Sequence, residues 1–220
     1  MNIQKIFLVS FVFLFILATP IAKAQKIESK ESEEVFEFVI HPQIPPMKFK
    51  LIWRSDWHVV ERIEIYKSGK SDPIQILQSR MDAEPYQNSN YFQPEDINFD
   101  GYKDIKLLIW WGVTGNEGYD FWLFDPNAEK FIFNSQLSKA GNPIPNKNTK
   151  ELVNSWVGGM AGKVYGKETY KFIEGKLILI KEEHQDWVQE KKHLLKTIKE
   201  MVNGEMVIVN QEIIPFEETK

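Results

Sequence analysis

Residues 194–209 read LLKTIKEMVNGEMVIV. Two runs rich in apolar and β-branched residues flank Asn203-Gly204, a dipeptide that readily takes the positive φ angles of a type I′ turn. The stretch therefore predicts a β-hairpin whose strands run from Leu194 to Val202 and from Glu205 to Val209. Several residues between Gln189 and Met201 also favour helix, but the turn and the β-rich second run favour the hairpin.

The same plan occurs upstream, where Glu174-Gly175 separates a strand-like run from Thr169 to Ile173 and another from Lys176 to Lys181. Alternating patterns and turn residues predict further strands nearer the N-terminus. These are 35–40, 48–53, 59–66 and 74–78. Repeated hairpins without long helices predict an all-β protein, an antiparallel meander that forms a sandwich or propeller-like sheet or closes into a barrel.

The N-terminus has the three parts of a secretory signal peptide. Lys5 gives a basic start, an apolar run extends from Ile6 to Leu17, and Ala22-Lys23-Ala24 is a small-x-small end. The alternative is a membrane anchor, which needs about 20 apolar residues. We predict cleavage near Ala24 and a periplasmic or secreted protein. A polar, disordered arm over 25–34 and a single β domain over 35–220 would follow.

Composition narrows the classes of function. The formal net charge is −4, and loss of residues 1–24 would remove two lysines, so a nucleic-acid partner is not expected. The chain has no cysteine, so disulfides cannot stabilise it after export. No serine-hydrolase or zinc-protease motif occurs, and the four histidines are scattered. These features predict a binding protein rather than an enzyme, without a membrane span after residue 24.

Residues 96–104 read DINFDGYKD and place oxygen-bearing side chains at the first, third, fifth and ninth positions. Ca²⁺ prefers six to eight oxygen ligands, and Gly101 permits a sharp turn after the third ligand. Three crowded carboxylates repel one another until a cation neutralises them. The sequence therefore predicts a structural calcium site. Its predicted ligands are Asp96, Asn98, Asp100, the carbonyl group of Tyr102, and Asp104.

This loop is not an EF-hand. Leu107 occupies the twelfth position, where a bidentate glutamate is expected, and the run from Ile105 to Trp111 resembles a strand rather than a helix. An Asx-rich turn that binds no ion is the alternative interpretation.

The segment DINFDGYKDI, residues 96–105, resembles the signature of a family of bacterial periplasmic proteins. The resemblance continues through Gly115-Asn116, 121–126, Phe131, Leu137-Ser138 and the hairpin over 170–179, so it covers roughly residues 90–180. Characterised members resemble periplasmic inhibitors of invertebrate-type lysozyme, and some are immunity proteins against muramidase effectors of rival bacteria. The resemblance implies a calcium-binding β fold and a lysozyme or muramidase effector as partner.

In those inhibitors a loop with the pattern Ser-Gly-x-x-Tyr enters the lysozyme cleft. The matching segment here is TGNEGY, 114–119, in which threonine replaces serine and the loop is one residue longer. Glu117 would also face the acidic catalytic groups of a lysozyme, which weakens docking. Tyr119 could instead be a core or hairpin-edge aromatic residue. The resemblance implies partner contacts by Thr114, Gly115, Asn116 and Tyr119.

Trp110-Trp111 favours a second function. Adjacent strand residues point to opposite faces of a sheet, so one of the two rings could be exposed. An exposed ring near Trp122 could stack on sugars, as in a glycan- or peptidoglycan-binding envelope module, although core packing is the commoner role of tryptophan.

Overall fold

The computed structural model describes residues 32–54, 59–81 and 90–215. The predicted signal peptide, residues 1–24, and residues 25–31 of the predicted arm lie outside the described residues. Within the described ranges the chain forms three antiparallel sheets and one short α-helix.

The first sheet has the order β1-β2-β3-β4. Its strands are β1 (Ser32–Phe38), β2 (Met47–Arg54), β3 (Val59–Lys67) and β4 (Gln75–Gln78). The prediction of a disordered arm is wrong for residues 32–34, because Ser32 pairs with Trp53 and Glu34 with Leu51. An edge strand tolerates such polar residues because its side chains remain in contact with water.

The second sheet has the order β5-β6-β7-β8. Its strands are β5 (Phe92–Glu95), β6 (Asp104–Trp111), β7 (Glu117–Asp125) and β8 (Lys130–Phe133). Helix α1 (Ser135–Ala140) follows, and the side chain of Asn134 caps its start by accepting hydrogen bonds from the N–H groups of Gln136 and Leu137.

The third sheet has the order β14-β13-β12-β11-β10-β9. Its strands are β9 (Ile144–Asn146), β10 (Glu151–Val157), β11 (Tyr165–Ile173), β12 (Lys176–Val188), β13 (His193–Val202) and β14 (Glu205–Pro215). Both predicted hairpins are confirmed, and all four of their turn residues have positive φ angles. The helical alternative is wrong beyond a single 3-10 turn at Gln189–Lys191.

The first and second sheets pack face to face as a sandwich. Phe49 and Ile63 of the first sheet belong to one buried cluster with Phe92, Leu107 and Phe124 of the second. The prediction of an all-β sandwich is confirmed, and the described strands do not close into a barrel.

The opposite face of the second sheet is also covered. Leu108 and Phe121 pack there with Leu137 of α1 and with Leu152 and Leu177 of the third sheet. The second sheet is therefore the middle layer, and its inner strands β6 and β7 are buried on both faces over most of their length. This double burial decides the position of several of the predicted site residues.

The outer part of the third sheet extends away from this core. Strand β14 lies at the edge of the sheet and is exposed along most of its length. In the parts of the chain that the structure describes, no helix has the length and apolar character required to cross a membrane.

Candidate functional site

The predicted calcium loop connects β5 to β6. One oxygen of Asp96 accepts a hydrogen bond from the N–H of Asp100 at 3.1 Å, and the other accepts from Gly101 at 3.2 Å. Asn98 Oδ1 also accepts from Asp100, and Asp100 Oδ1 accepts from the N–H of Tyr102 at 2.8 Å. The side chains predicted as ligands thus hold the loop in a tight turn through its own backbone.

Asp104 ties this loop to the core. It is 1% exposed, and its two oxygens accept hydrogen bonds from the N–H of Ile97 at 2.9 Å and of Phe124 at 2.8 Å. Burial, together with the smaller effect of the nearby charges of Asp100 and Asp96, raises the pKa of Asp104 to about 7, against the lowering effect of the two N–H donors. The carboxylates of the loop are therefore close enough to repel one another.

The loop also contacts the connection between β1 and β2 of the first sheet. The ring of Tyr102 stacks on His41 with ring centroids 4.5 Å apart and packs against Phe124. The N–H of Lys103 donates to the carbonyl oxygen of Ile40 at 2.9 Å. The loop therefore links the two sheets of the sandwich, so its order affects the packing between them.

The donor set suits a hard cation, because it offers carboxylate and amide oxygens. Among the residues that the structure describes, however, no three His, Cys, Asp or Glu side chains are grouped so that they could hold a metal ion. The loop oxygens are instead occupied by backbone N–H groups, as in an Asx-rich turn. Calcium binding therefore remains a prediction that needs a direct measurement.

The predicted partner segment, 114–119, begins in the loop over 112–116, which connects β6 to β7. Val113 is fully exposed, and Thr114 and Gly115 are exposed beside it. Asn116 fixes the base of the loop, since its Oδ1 accepts from the N–H of Val157 and its Nδ2 donates to the carbonyl oxygen of Val157, both at 2.8 Å. The loop is thus a short projection fixed to the end of β10.

Tyr119 does not belong to that projection. It is 3% exposed and packs in the core with Phe121. Its hydroxyl donates to Glu117 Oε2 at 3.1 Å, and its N–H donates to the carbonyl oxygen of Gly141 at 3.0 Å. Because β7 lies in the middle layer, the structure supports the core interpretation of Tyr119 and not a contact with a partner.

Two clefts lie on either side of the loop and share Gly115, Asn116 and Glu117. The first has a volume of about 490 Å³. It is otherwise lined by Asn142, Ile144, Pro145, Asn146, Lys147, Val153 and Ser155. The second, of about 430 Å³, is lined in addition by Leu108, Trp111, Gly112 and Val113. The end of the molecule around the loop therefore carries two clefts.

The two tryptophans before the loop are both partly exposed, Trp110 at 41% and Trp111 at 40%. The indole of Trp110 covers Gly118 on the paired strand so closely that a Cβ atom there would lie 2.0 Å from Nε1. Trp156 covers Gly166 in the same way. Trp110 is thus held by packing, whereas Trp111 lines the second cleft.

An ion pair between the buried Asp120 and the exposed Arg80 is absent from the sequence-based predictions. Asp120 is fully buried, and Arg80 Nε donates to its Oδ2 at 3.0 Å. The two residues are 40 positions apart, so no local pattern indicates their pairing. The contact between Glu117 and Asn142 Nδ2, at 3.2 Å, likewise could not be predicted from the sequence.

Comparison with known proteins supports the fold. No protein-family model matches the chain, and no curated protein sequence does. A solved structure of a protein described as related to a Xanthomonas type IV secretion system is similar to it, with a TM-score of 0.55. The two share 20% sequence identity, and the match covers 85% of this chain and 96% of the other. The similarity therefore extends over most of both chains rather than over one motif.

Proposed function

We propose that this chain is an exported binding protein that attaches to a protein partner through the 112–117 end. By its resemblance to the periplasmic lysozyme inhibitors, the partner is a lysozyme or a muramidase effector, and the chain acts as an inhibitor or immunity protein. The observation that carries the proposal is the fully exposed Val113 on a loop whose base is fixed by Asn116.

The shape of this end suits insertion into a concave partner. A fully exposed valine exposes apolar surface that binding would remove from water. Hydrogen bonds to Val157 fix the base of the loop before binding, and such preorganisation lowers the ordering cost of association. Val157 and Ile144 nearby are also exposed, at 41% and 60%, and extend the apolar surface.

The context of the structural relative supports the same class of function. That protein is described as related to a type IV secretion system. A chain that binds and neutralises a delivered enzyme fits such a setting. The burial of Tyr119 changes one detail of the resemblance, because Val113, Thr114 and Gly115 rather than Tyr119 would form the contact.

We further propose that the 96–104 loop binds Ca²⁺ and that the ion is structural. The support is the crowding of Asp96, Asp100 and Asp104, whose mutual repulsion a divalent cation would relieve. Residues Asp96, Asn98, Asp100 and Asp104 would hold the ion with the carbonyl group of Tyr102. Stabilisation of this loop would support the strand β6 that leads to the partner loop.

An inhibition assay tests the proposed function. Purified protein is added to a panel of muramidases of different families, and hydrolysis of peptidoglycan is followed by turbidity. We expect saturable inhibition of at least one enzyme at a one-to-one ratio. Absence of inhibition across the panel, together with tight binding to peptidoglycan alone, would remove the inhibitor proposal.

Trp111 favours one alternative, a glycan-binding envelope module. Its half-exposed ring lines the 430 Å³ cleft beside Asn116 and Glu117, and aromatic rings next to polar groups bind sugars in many lectin sites. A Trp111→Ala variant separates the two functions, because it should abolish peptidoglycan binding by a glycan module and affect inhibition less than changes at Val113.

A further inference from the structure

Glu117 lies at the boundary between the partner loop and the core. Its Oε2 accepts hydrogen bonds from the Tyr119 hydroxyl at 3.1 Å and from Asn142 Nδ2 at 3.2 Å. Both donors are neutral, and within the described part of the chain Glu117 forms no ion pair. The carboxylate is therefore held in one orientation while its charge remains without a cation.

Asn142 adds a second acceptor. Its Nδ2 donates to Glu117, so the orientation of the amide is fixed, because the reverse orientation would place two oxygens in contact. The Asn142 Oδ1 atom is buried and has no hydrogen-bond partner among the described residues. Buried acceptors without donors are uncommon in folded proteins and often indicate an absent partner group.

The walls of the 490 Å³ cleft contain both polar and apolar groups. Glu117 and Asn142 line it together with Asn116 and Ser155, while Ile144, Pro145 and Val153 supply an apolar side. This combination suits a side chain with an aliphatic stem and a charged head, since such side chains place their methylene groups on apolar surface and keep the charge on polar partners.

We infer that this cleft binds the guanidinium or ammonium group of a basic side chain that the protein partner inserts beside the 112–116 loop, with Glu117 as its counter-ion. The inference rests on the proposed function and specifies the chemistry of the partner. It also gives Glu117 a role. Next to acidic catalytic groups Glu117 would oppose docking of the partner. As the counter-ion of a basic side chain, Glu117 promotes docking.

The charges around the cleft are consistent with this role. The chain carries a formal net charge of −4, which attracts a basic partner over distance. Lys147 also lines the cleft and opposes the entry of a cation. It is exposed on the turn after β9, however, where a long flexible side chain can move away into water.

The test uses Nα-acetyl-arginine amide as a probe and Nα-acetyl-citrulline amide as its uncharged isostere. Isotope-labelled protein is titrated with each, and the side-chain amide resonances of Asn116 and Asn142 are followed by NMR. We expect saturable shifts with the arginine probe and binding weaker by about tenfold or more with citrulline. Added salt should weaken the arginine binding, since the cleft is open to solvent.

Two variants complete the test. Glu117→Gln removes the charge but keeps an acceptor for Tyr119 and Asn142, so it should lower arginine affinity while leaving the melting temperature nearly unchanged. Glu174→Gln, at an exposed turn, is the control and should bind as the unaltered protein does. Equal binding of both probes, shifts confined to other residues, or an unaffected Glu117→Gln variant would overturn the inference.

The outcome of the arginine-probe titration does not depend on the outcome of the muramidase inhibition assay. If the arginine probe binds at Glu117 and no muramidase is inhibited, the cleft is established and the proposed partner is wrong. If a muramidase is inhibited and the Glu117→Gln variant inhibits it equally well, the proposed function stands and the role of the cleft is wrong.

Discussion

The side-chain amide of Asn116 is bonded at both ends to the backbone of Val157, with its oxygen accepting from the N–H and its nitrogen donating to the carbonyl group, each at 2.8 Å. The two residues come from segments that belong to different layers of the fold. Asn116 precedes β7 in the middle layer, and Val157 ends β10 in the third sheet. This pair of bonds therefore fixes the proposed partner loop to the third sheet.

Asn116→Ala should loosen the loop without unfolding the protein. The variant loses two hydrogen bonds at a partly exposed site, each worth about 1 kcal/mol. We expect a small fall in the melting temperature and a clear rise in the hydrogen-exchange rate of the Val157 amide. Asn127→Ala, in an exposed turn, is the control. Unchanged exchange at Val157 would show that the loop does not depend on this contact.

Calcium should stabilise the protein if the 96–104 loop is a metal site. A ligand bound only by the folded state adds about 2.7 kcal/mol to the free energy of unfolding when its concentration is a hundred times its Kd. Chelated protein should melt at a higher temperature after addition of Ca²⁺, and Asp96→Ala should remove this shift whereas Asp72→Ala should not. Identical melting curves with and without chelator would support the Asx-rich turn that binds no ion.

Asp104 should contribute to the stability of the folded protein even without calcium. Asp104→Ala leaves the buried N–H groups of Ile97 and Phe124 without acceptors, and each such group costs about 1–3 kcal/mol. We expect the free energy of unfolding, measured in urea in the presence of a chelator, to fall by about 2–6 kcal/mol. Asp125→Ala, which removes an acceptor in an exposed turn, should cost less. If Asp104→Ala and Asp125→Ala lower the free energy of unfolding by the same small amount, Asp104 acts only as a metal ligand.

Because Trp110 packs over Gly118, a side chain at position 118 should destabilise the protein. A Cβ atom at position 118 would overlap the indole, so Gly118→Ala must displace the ring, at a cost of about 1–3 kcal/mol. Tryptophan fluorescence should change together with the free energy of unfolding. Gly159→Ala is the control, because no atom lies within 4 Å of the added methyl group there. A neutral Gly118→Ala would show that the indole is loosely held.

The hairpins of the third sheet could be predicted because their turns are encoded locally. Asn203-Gly204 and Glu174-Gly175 adopt the positive φ angles that their strands require, and no distant contact is needed to place them. Helix α1 was missed because it is a single short segment whose capping residue, Asn134, also occurs in many turns.

Tyr119 shows why the partner loop was harder to predict. Alternation identifies one exposed and one buried face only when a sheet has water on one side. Strand β7 is covered by the first sheet on one face and by α1 and the third sheet on the other, so its residues from Gly118 to Trp122 are all buried. The contacts of Glu117 with Asn142 and of Arg80 with Asp120 depend on the same tertiary packing.

The most direct test of the central claim compares Val113→Asp with Ile132→Asp in the muramidase inhibition assay. Both changes place a charge on an exposed apolar position, Val113 on the partner loop and Ile132 on β8. We predict that Val113→Asp raises the inhibition constant by about tenfold or more, with the same melting temperature as the unaltered protein, and that Ile132→Asp inhibits normally. Equal inhibition by the two variants would contradict the assignment of the 112–117 end as the partner-binding surface.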